Sequence, residues 1–146
     1  MMSGNVIYRG PIDRQPRTIN KPVSGAYLPG TFVEDTGSAL TQITTALAKR
    51  PLLLSNADFV GQTIDTAYTS GDTGVAYELE PGQVYQAALA AATYAKNDPL
   101  TISASGRLAA AVTGDKVVAF FDDTPGAYTA GQLADVVIAD GYIVPA

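Results

Sequence analysis

The sequence predicts an all-β domain, a small barrel or sandwich of about eight short strands preceded by an extended N-terminal arm. Three observations predict it. Apolar runs are short and rich in strand formers, as in Val117-Val118-Ala119-Phe120-Phe121 and Val136-Val137-Ile138. Turn signals punctuate the chain at fairly regular intervals: Pro29-Gly30, Pro81-Gly82, Ser105-Gly106, Pro125-Gly126 and Asp140-Gly141. Between them side chains alternate, with Val75, Tyr77 and Leu79 on one face and Ala76, Glu78 and Glu80 on the other.

Residues 1–22 hold Pro11, Pro16 and Pro22, which prevent a helix of any length. Val6, Ile7 and Tyr8 could add a strand to a partner, and Arg9, Arg14 and Arg17 could pair with its carboxylates. The division expected is an arm over 1–22 and a β-rich domain over 23–146. Thr31-Phe32-Val33 reads as a strand after a Pro-Gly turn. Residues 38–50 read as irregular or strand, with a short helix as the alternative, because Leu40, Ile43 and Leu47 have helical spacing while three threonines weaken a helix. Leu52-Leu53-Leu54 is a short buried strand. Residues 59–74, rich in Gly, Thr and Ser, read as a long structured loop suited to contact, with Tyr68 and Asp72 as candidates.

Residues 75–80 form a strand, and 84–94 return as another despite their helix-favouring alanines. The clearest stretch is 94–123: Leu100 and Ile102 share a strand face, Ser105-Gly106 turns the chain, Leu108 starts it back, and Thr113-Gly114-Asp115 turns it again. Arg107 is the exposed candidate there. Residues 122–131 read as a polar loop, 133–138 as a strand, Asp140-Gly141 as a hairpin turn, and 142–144 as a last strand. No repeat of fixed period is expected.

Composition narrows the chemistry. The chain has 146 residues, no Cys, no His and no Trp, and is 47% hydrophobic with a net charge of −5. Disulfides, thiolate sites and histidine-based catalysis are excluded within it. The charge is uneven: the arm holds four cations against Asp13 alone, and the acidic remainder argues against nucleic acid as a ligand. No apolar run approaches the roughly 20 residues of a membrane span, and the N-terminus lacks a signal-peptide core. Synthesis in the cytoplasm is the expectation.

Four candidate constellations give no active site. Asp122 and Asp123 are adjacent and point apart on a strand, so they read as a solvated turn. Asp65 to Asp72 is oxygen-rich and could hold a cation, but lacks the ligand ladder of a calcium loop. Asp35-Thr36-Gly37 and Asp72-Thr73-Gly74 match the aspartic protease triplet, yet turn chemistry explains both. The eight tyrosines suit protein interfaces. No nucleophile elbow, phosphate-binding loop or dinucleotide fingerprint is present.

Leu28-Pro29-Gly30-Thr31, Gly61-Gln62 through Tyr68, Ser70-Gly71-Asp72-Thr73, Pro81-Gly82-Gln83-Val84-Tyr85, Pro99-Leu100-Thr101-Ile102 and Ser105-Gly106-Arg107-Leu108 together resemble the capsid decoration (cement) proteins of tailed bacteriophages. The resemblance implies a β-tulip-like domain that binds the outer surface of the major capsid lattice and stabilises the head through its arm and loops. It implies a non-enzymatic virion protein without cofactor, whose partners are the major capsid protein and itself, as a homotrimer or a dimer. A tail, baseplate or head-fibre component is the alternative within virions, and a small-molecule or glycan-binding β-barrel the alternative outside them.

Overall fold

The computed structural model describes residues 7–11, 13, 15–47, 49–57 and 62–145. The chain is all-β, with thirteen short strands among the described residues. They are β1 (Tyr8–Gly10), β2 (Thr18–Pro22), β3 (Phe32–Asp35), β4 (Leu40–Gln42), β5 (Leu52–Ser55), β6 (Thr73–Glu78), β7 (Val84–Ala88), β8 (Ala92–Tyr94), β9 (Pro99–Ile102), β10 (Leu108–Ala110), β11 (Ala119–Phe121), β12 (Gly126–Tyr128) and β13 (Leu133–Ile138). A five-stranded sheet runs β2-β6-β5-β3-β4 and a six-stranded sheet β1-β7-β13-β11-β9-β10, while β12 and β8 form a two-stranded ribbon. Every ladder between named strands is antiparallel. The architecture is an all-β sandwich.

There are more strands than the alternation predicts, for local reasons. The 84–94 run breaks after Ala88 into β7 and β8, and the polar 122–131 loop contains β12. Residues 38–47 form β4 followed by irregular chain that buries Ile43 and Ala46. Asp140-Gly141 does not make a hairpin on β13: Ile143 bridges Lys116, and Val117 N–H donates to Tyr142 O.

The two large sheets are one five-stranded unit built twice. In chain order, β2, β3, β4, β5 and β6 correspond to β7, β9, β10, β11 and β13, with identical strand order and direction. Equivalent hydrogen bonds recur outside the ladders. Glu78 N–H donates to Arg17 O, as Ile138 N–H does to Gln83 O. Leu54 N–H donates to Thr31 O, as Phe121 N–H does to Asp98 O. Gly30 and Asn97 occupy the same left-handed turn, at φ 91° and 69°, and donate to Leu54 O and Phe121 O. In each unit the sheet curls until one parallel bridge joins its edges, Val23 to Leu40 and Leu89 to Leu108. A single bridge leaves neither unit a closed barrel.

The interiors match position by position. Val23, Val33, Leu40, Leu52, Leu54, Tyr68 and Ala76 pack together inside the first unit. Leu89, Leu100, Leu108, Ala119, Phe121, Tyr128 and Val136 take their places in the second. Volumes compensate: Ala119 replaces Leu52, while Phe121 and Val136 replace Leu54 and Ala76. The outer face of the first sheet contributes Phe32 and Leu53 to the core of the second unit, so that core is built from both units while the first unit keeps a separate interior of its own.

The N-terminal segment is extended, as expected, but its described part belongs to the body. β1 adds to the free edge of β7, pairing Tyr8 with Tyr85, and β2 is the first strand of the first unit. Ile7 is fully buried in the common core.

A candidate contact site at the junction of the units

An open cleft of about 540 Å³ lies where the units meet. Leu28, Pro29 and Thr31 of the turn into β3 form one wall, and Ser105 and Arg107 of the turn into β10 form another. Asp65 lies at the rim from the first unit, and Gln132 from the second. Thus segments far apart in sequence that carry the decoration-protein resemblance border one surface.

The turn before Arg107 is set by close packing. Ser105 and Gly106 are both left-handed, at φ 62° and 66°. Gly106 is buried against the first unit: a Cβ there would lie 2.6 Å from Thr31 Cγ2 and 2.8 Å from Phe32 O. Only glycine allows that approach at that backbone angle. Ser103 closes the turn, with its N–H and Oγ both donating to Arg107 O at 2.8 and 3.0 Å. Arg107 thereby projects from a fixed base, and its guanidinium lies against Gly131.

Electrostatics point to the same residue, one of two described cations left without a carboxylate. Among the described cations, Arg9, Arg17, Lys21, Lys49, Arg50 and Lys96 have carboxylate partners, whereas Arg107 and Lys116 have none. An unpaired guanidinium on a rigid turn, with exposed Leu28 on the facing wall, can receive a carboxylate from another surface.

The other residues singled out in the sequence fall elsewhere. Tyr68 is buried, not a contact side chain; its hydroxyl donates to Ser55 O and accepts from Val75 N–H at 3.3 Å, and burial raises its pKa. Asp72 is exposed, and its carboxylate accepts from Thr69 N–H at 3.0 Å, which fixes the local turn. Tyr8 packs its ring on Tyr85 and Tyr77 at 5.3 and 6.1 Å, and its hydroxyl donates to Pro11 O. Arg9 pairs with Asp135 at 3.5 Å. Burial, opposed by Arg9 and reinforced by Asp123 and Asp122, pushes the Asp135 carboxyl above its ordinary pKa. Arg17 is the exposed one, paired with Glu78 at 3.2 Å. Val6 and Arg14 lie outside the described residues.

Of the weighed carboxylates, Asp35, Asp72, Asp122 and Asp123 have local work. Asp35 chelates Lys21 Nζ through both oxygens at 2.8 Å and accepts from Gly37 N–H, which holds it below its ordinary pKa. Asp122 pairs with Lys96, while Asp123 accepts from Thr124 and Asp135 N–H groups. No group of three or more acidic side chains among the described residues is arranged to hold a metal ion. Among the described residues no helix is long and apolar enough to cross a membrane. The sequence matches no family model and no curated protein.

The signal that locates the cleft was present in the sequence as Ser105-Gly106-Arg107, but its partner wall was not. Gln132 and Leu28 reach it only because the two units dock face to face.

Proposed function

We propose that this chain is a structural virion protein, a capsid decoration (cement) protein that binds the outer surface of a major capsid lattice and stabilises the head. One observation carries the reading: the turns Leu28-Pro29-Gly30-Thr31 and Ser105-Gly106-Arg107-Leu108, on which the sequence resemblance rests, border one cleft with an unpaired guanidinium. A duplicated unit with a shared core supports it, because a clamp on a strained shell needs a body that does not yield. Many copies on a lattice bind with avidity, so each contact can be modest. Association of the free protein into a homotrimer, with a dimer as the alternative, fits a site at a local symmetry axis.

The contact runs through the cleft and the exposed loops rather than through Ile7, Tyr8 and Arg9, which are engaged in the fold. Cryo-electron microscopy of virions containing the chain tests the reading directly. Density on the outer capsid face, with Arg107 toward a capsid carboxylate, is the expected result. Density in the tail, baseplate or a head fibre would overturn it. Arg107→Glu should lower affinity for undecorated capsids by about tenfold or more while leaving the fold intact.

The volume of the cleft favours a second reading, a small-molecule or glycan-binding β-domain. Saturable binding of a sugar that Arg107→Ala abolishes, without capsid binding, would support that one instead.

A further inference from the structure

The duplication exposes a difference between two equivalent strand edges. In an antiparallel ladder alternate residues turn their N–H and C=O groups toward the partner. In the second unit Leu89 N–H donates to Gln132 O and Ile138 N–H to Gln83 O, so Val84, Gln86 and Ala88 turn theirs away from β13. Those outward groups are covered: Gln86 N–H donates to Ile7 O at 2.7 Å and Ala88 N–H to Gly30 O at 3.0 Å. In the first unit Val23 N–H donates to Asp72 O and Glu78 N–H to Arg17 O, so Thr18, Asn20 and Pro22 turn theirs away from β6. Among the described residues nothing accepts from Asn20 N–H, and Pro22 has no N–H to give. All three residues are exposed.

We propose that the outer edge of β2, at Thr18–Asn20, is a strand-addition site for an extended segment of another protein that carries a carboxylate at the end next to Arg17. β1 on β7 is the template for its geometry: three residues, antiparallel, with a carbonyl accepting from the position equivalent to Asn20. Pro22 ends the ladder on one side, so the segment is equally short. Charge selects the occupant. Arg17 and Arg50, with side chains 89% and 71% exposed, share the single carboxylate of Glu78, which leaves one net positive charge beside the edge. A second copy pairing its own β2 antiparallel here would set each Arg17 opposite a Lys21 whose charge Asp35 already neutralises, and would bring no carboxylate to the net positive Arg17 site. An acidic strand supplies that carboxylate. The acceptor edge stands whether or not the chain coats a capsid.

The test uses the full chain, isotopically labelled, titrated with a capped peptide of sequence Val-Ile-Tyr-Thr-Gly-Glu and followed by amide NMR. The expected result is saturable shifts centred on Thr18 and Asn20, and binding about tenfold weaker when lysine replaces the glutamate. Asn20→Pro removes the outward N–H without taking a bond from the β2–β6 ladder, so its spectrum should stay dispersed while the shifts vanish. If that variant unfolds, N-methylation of the peptide's own ladder amides serves instead and should abolish binding to the unaltered chain. Absence of saturable shifts, shifts centred on Val84 and Gln86, or equal affinity for both peptides would overturn the proposal. So would concentration-dependent protection of Asn20 N–H in the protein alone, which would assign the edge to a second copy.

Discussion

Gly71 and Gly131 hold the same place in the two units: each donates its backbone N–H, at 2.8 Å, to the carbonyl of the residue that closes its curled sheet, Val23 in one and Leu89 in the other. Each ends an Ala-Tyr-Thr-x-Gly segment, 67–71 and 127–131. The next residue caps the turn in both, Asp72 accepting from Thr69 N–H and Gln132 from Thr129 N–H, each at 3.0 Å. The tyrosine of that segment is where the units diverge. Tyr68 sits inside the first unit and bonds two backbone groups, whereas Tyr128 is half-buried and its hydroxyl donates to the exposed Thr124 O at 2.7 Å.

Tyr68→Phe and Tyr128→Phe should therefore differ in cost. Removing the Tyr68 hydroxyl strands Ser55 O and Val75 N–H, worth about 1–3 kcal/mol, while Thr124 O recovers a water and loses less than about 1 kcal/mol. Urea denaturation of the two variants measures this. Equal losses would mean that Tyr68 does not bridge the strand and the loop.

How much of this was legible beforehand follows from where the information resides. Strand formers and Pro-Gly turns mark β3, β5, β6, β9, β10 and β13, and these are local signals. The repeat leaves one trace in the sequence, the Ala-Tyr-Thr-x-Gly segments 67–71 and 127–131, which are too short to mark a duplication; elsewhere what recurs is hydrogen-bond parity and curl, which many side chains satisfy. Leu52 and Ala119, or Ile19 and Tyr85, are equivalent in space and unlike in chemistry. The loop from β5 to β6 is also longer than that from β11 to β13, so no constant period survives. The N-terminal segment looked like a free arm because its prolines and charges are those of a tail. Burial of Ile7 and pairing of Arg9 with Asp135 depend on an edge that only the folded second unit creates. Arg107 was legible as a turn cation, though it is half-buried rather than exposed, and its cleft was not legible.

Gly106→Ala tests the joint between the units. The added methyl would meet Phe32 O and Thr31 Cγ2 at 2.8 and 2.6 Å, on a residue already at φ 66°. A backbone atom cannot retreat as a flexible side chain can, so the loss should reach about 2 kcal/mol or more. Gly114→Ala is the control, since its φ of 90° strains the backbone with no atom within 4 Å of the new Cβ. Thermal melts should rank Gly106→Ala well below Gly114→Ala. The reverse order would place the tight approach elsewhere.

Ile7→Ala separates a body strand from a dispensable arm. A fully buried isoleucine truncated in a packed core costs about 2–5 kcal/mol. Deleting residues 1–22 should do worse, because it removes β1 and also β2, whose loss opens the first unit along β6. Chemical denaturation of the point variant, and circular dichroism of the truncated chain, give the answer. A truncated chain with native stability would show that residues 7–22 pack without contributing.

Lys21 and Asp35 set an acid-side dependence of stability. The Lys21 ammonium, and secondarily Gly37 N–H, hold the Asp35 carboxyl below the ordinary value of 3.8. A carboxyl whose pKa is lower folded than unfolded stabilises the fold above the unfolded value, and that contribution disappears as pH falls through the folded one. Lys21→Met removes the larger cause and leaves the Gly37 bond. The Asp35 titration, followed by carbonyl-carbon NMR, should then move up toward 3.8. The gap in denaturation midpoint between parent and variant should be widest above that pH and close below it. A gap of the same size at pH 2.5 and pH 6 would mean that lost packing of the lysine stem, not the ion pair, accounts for the difference.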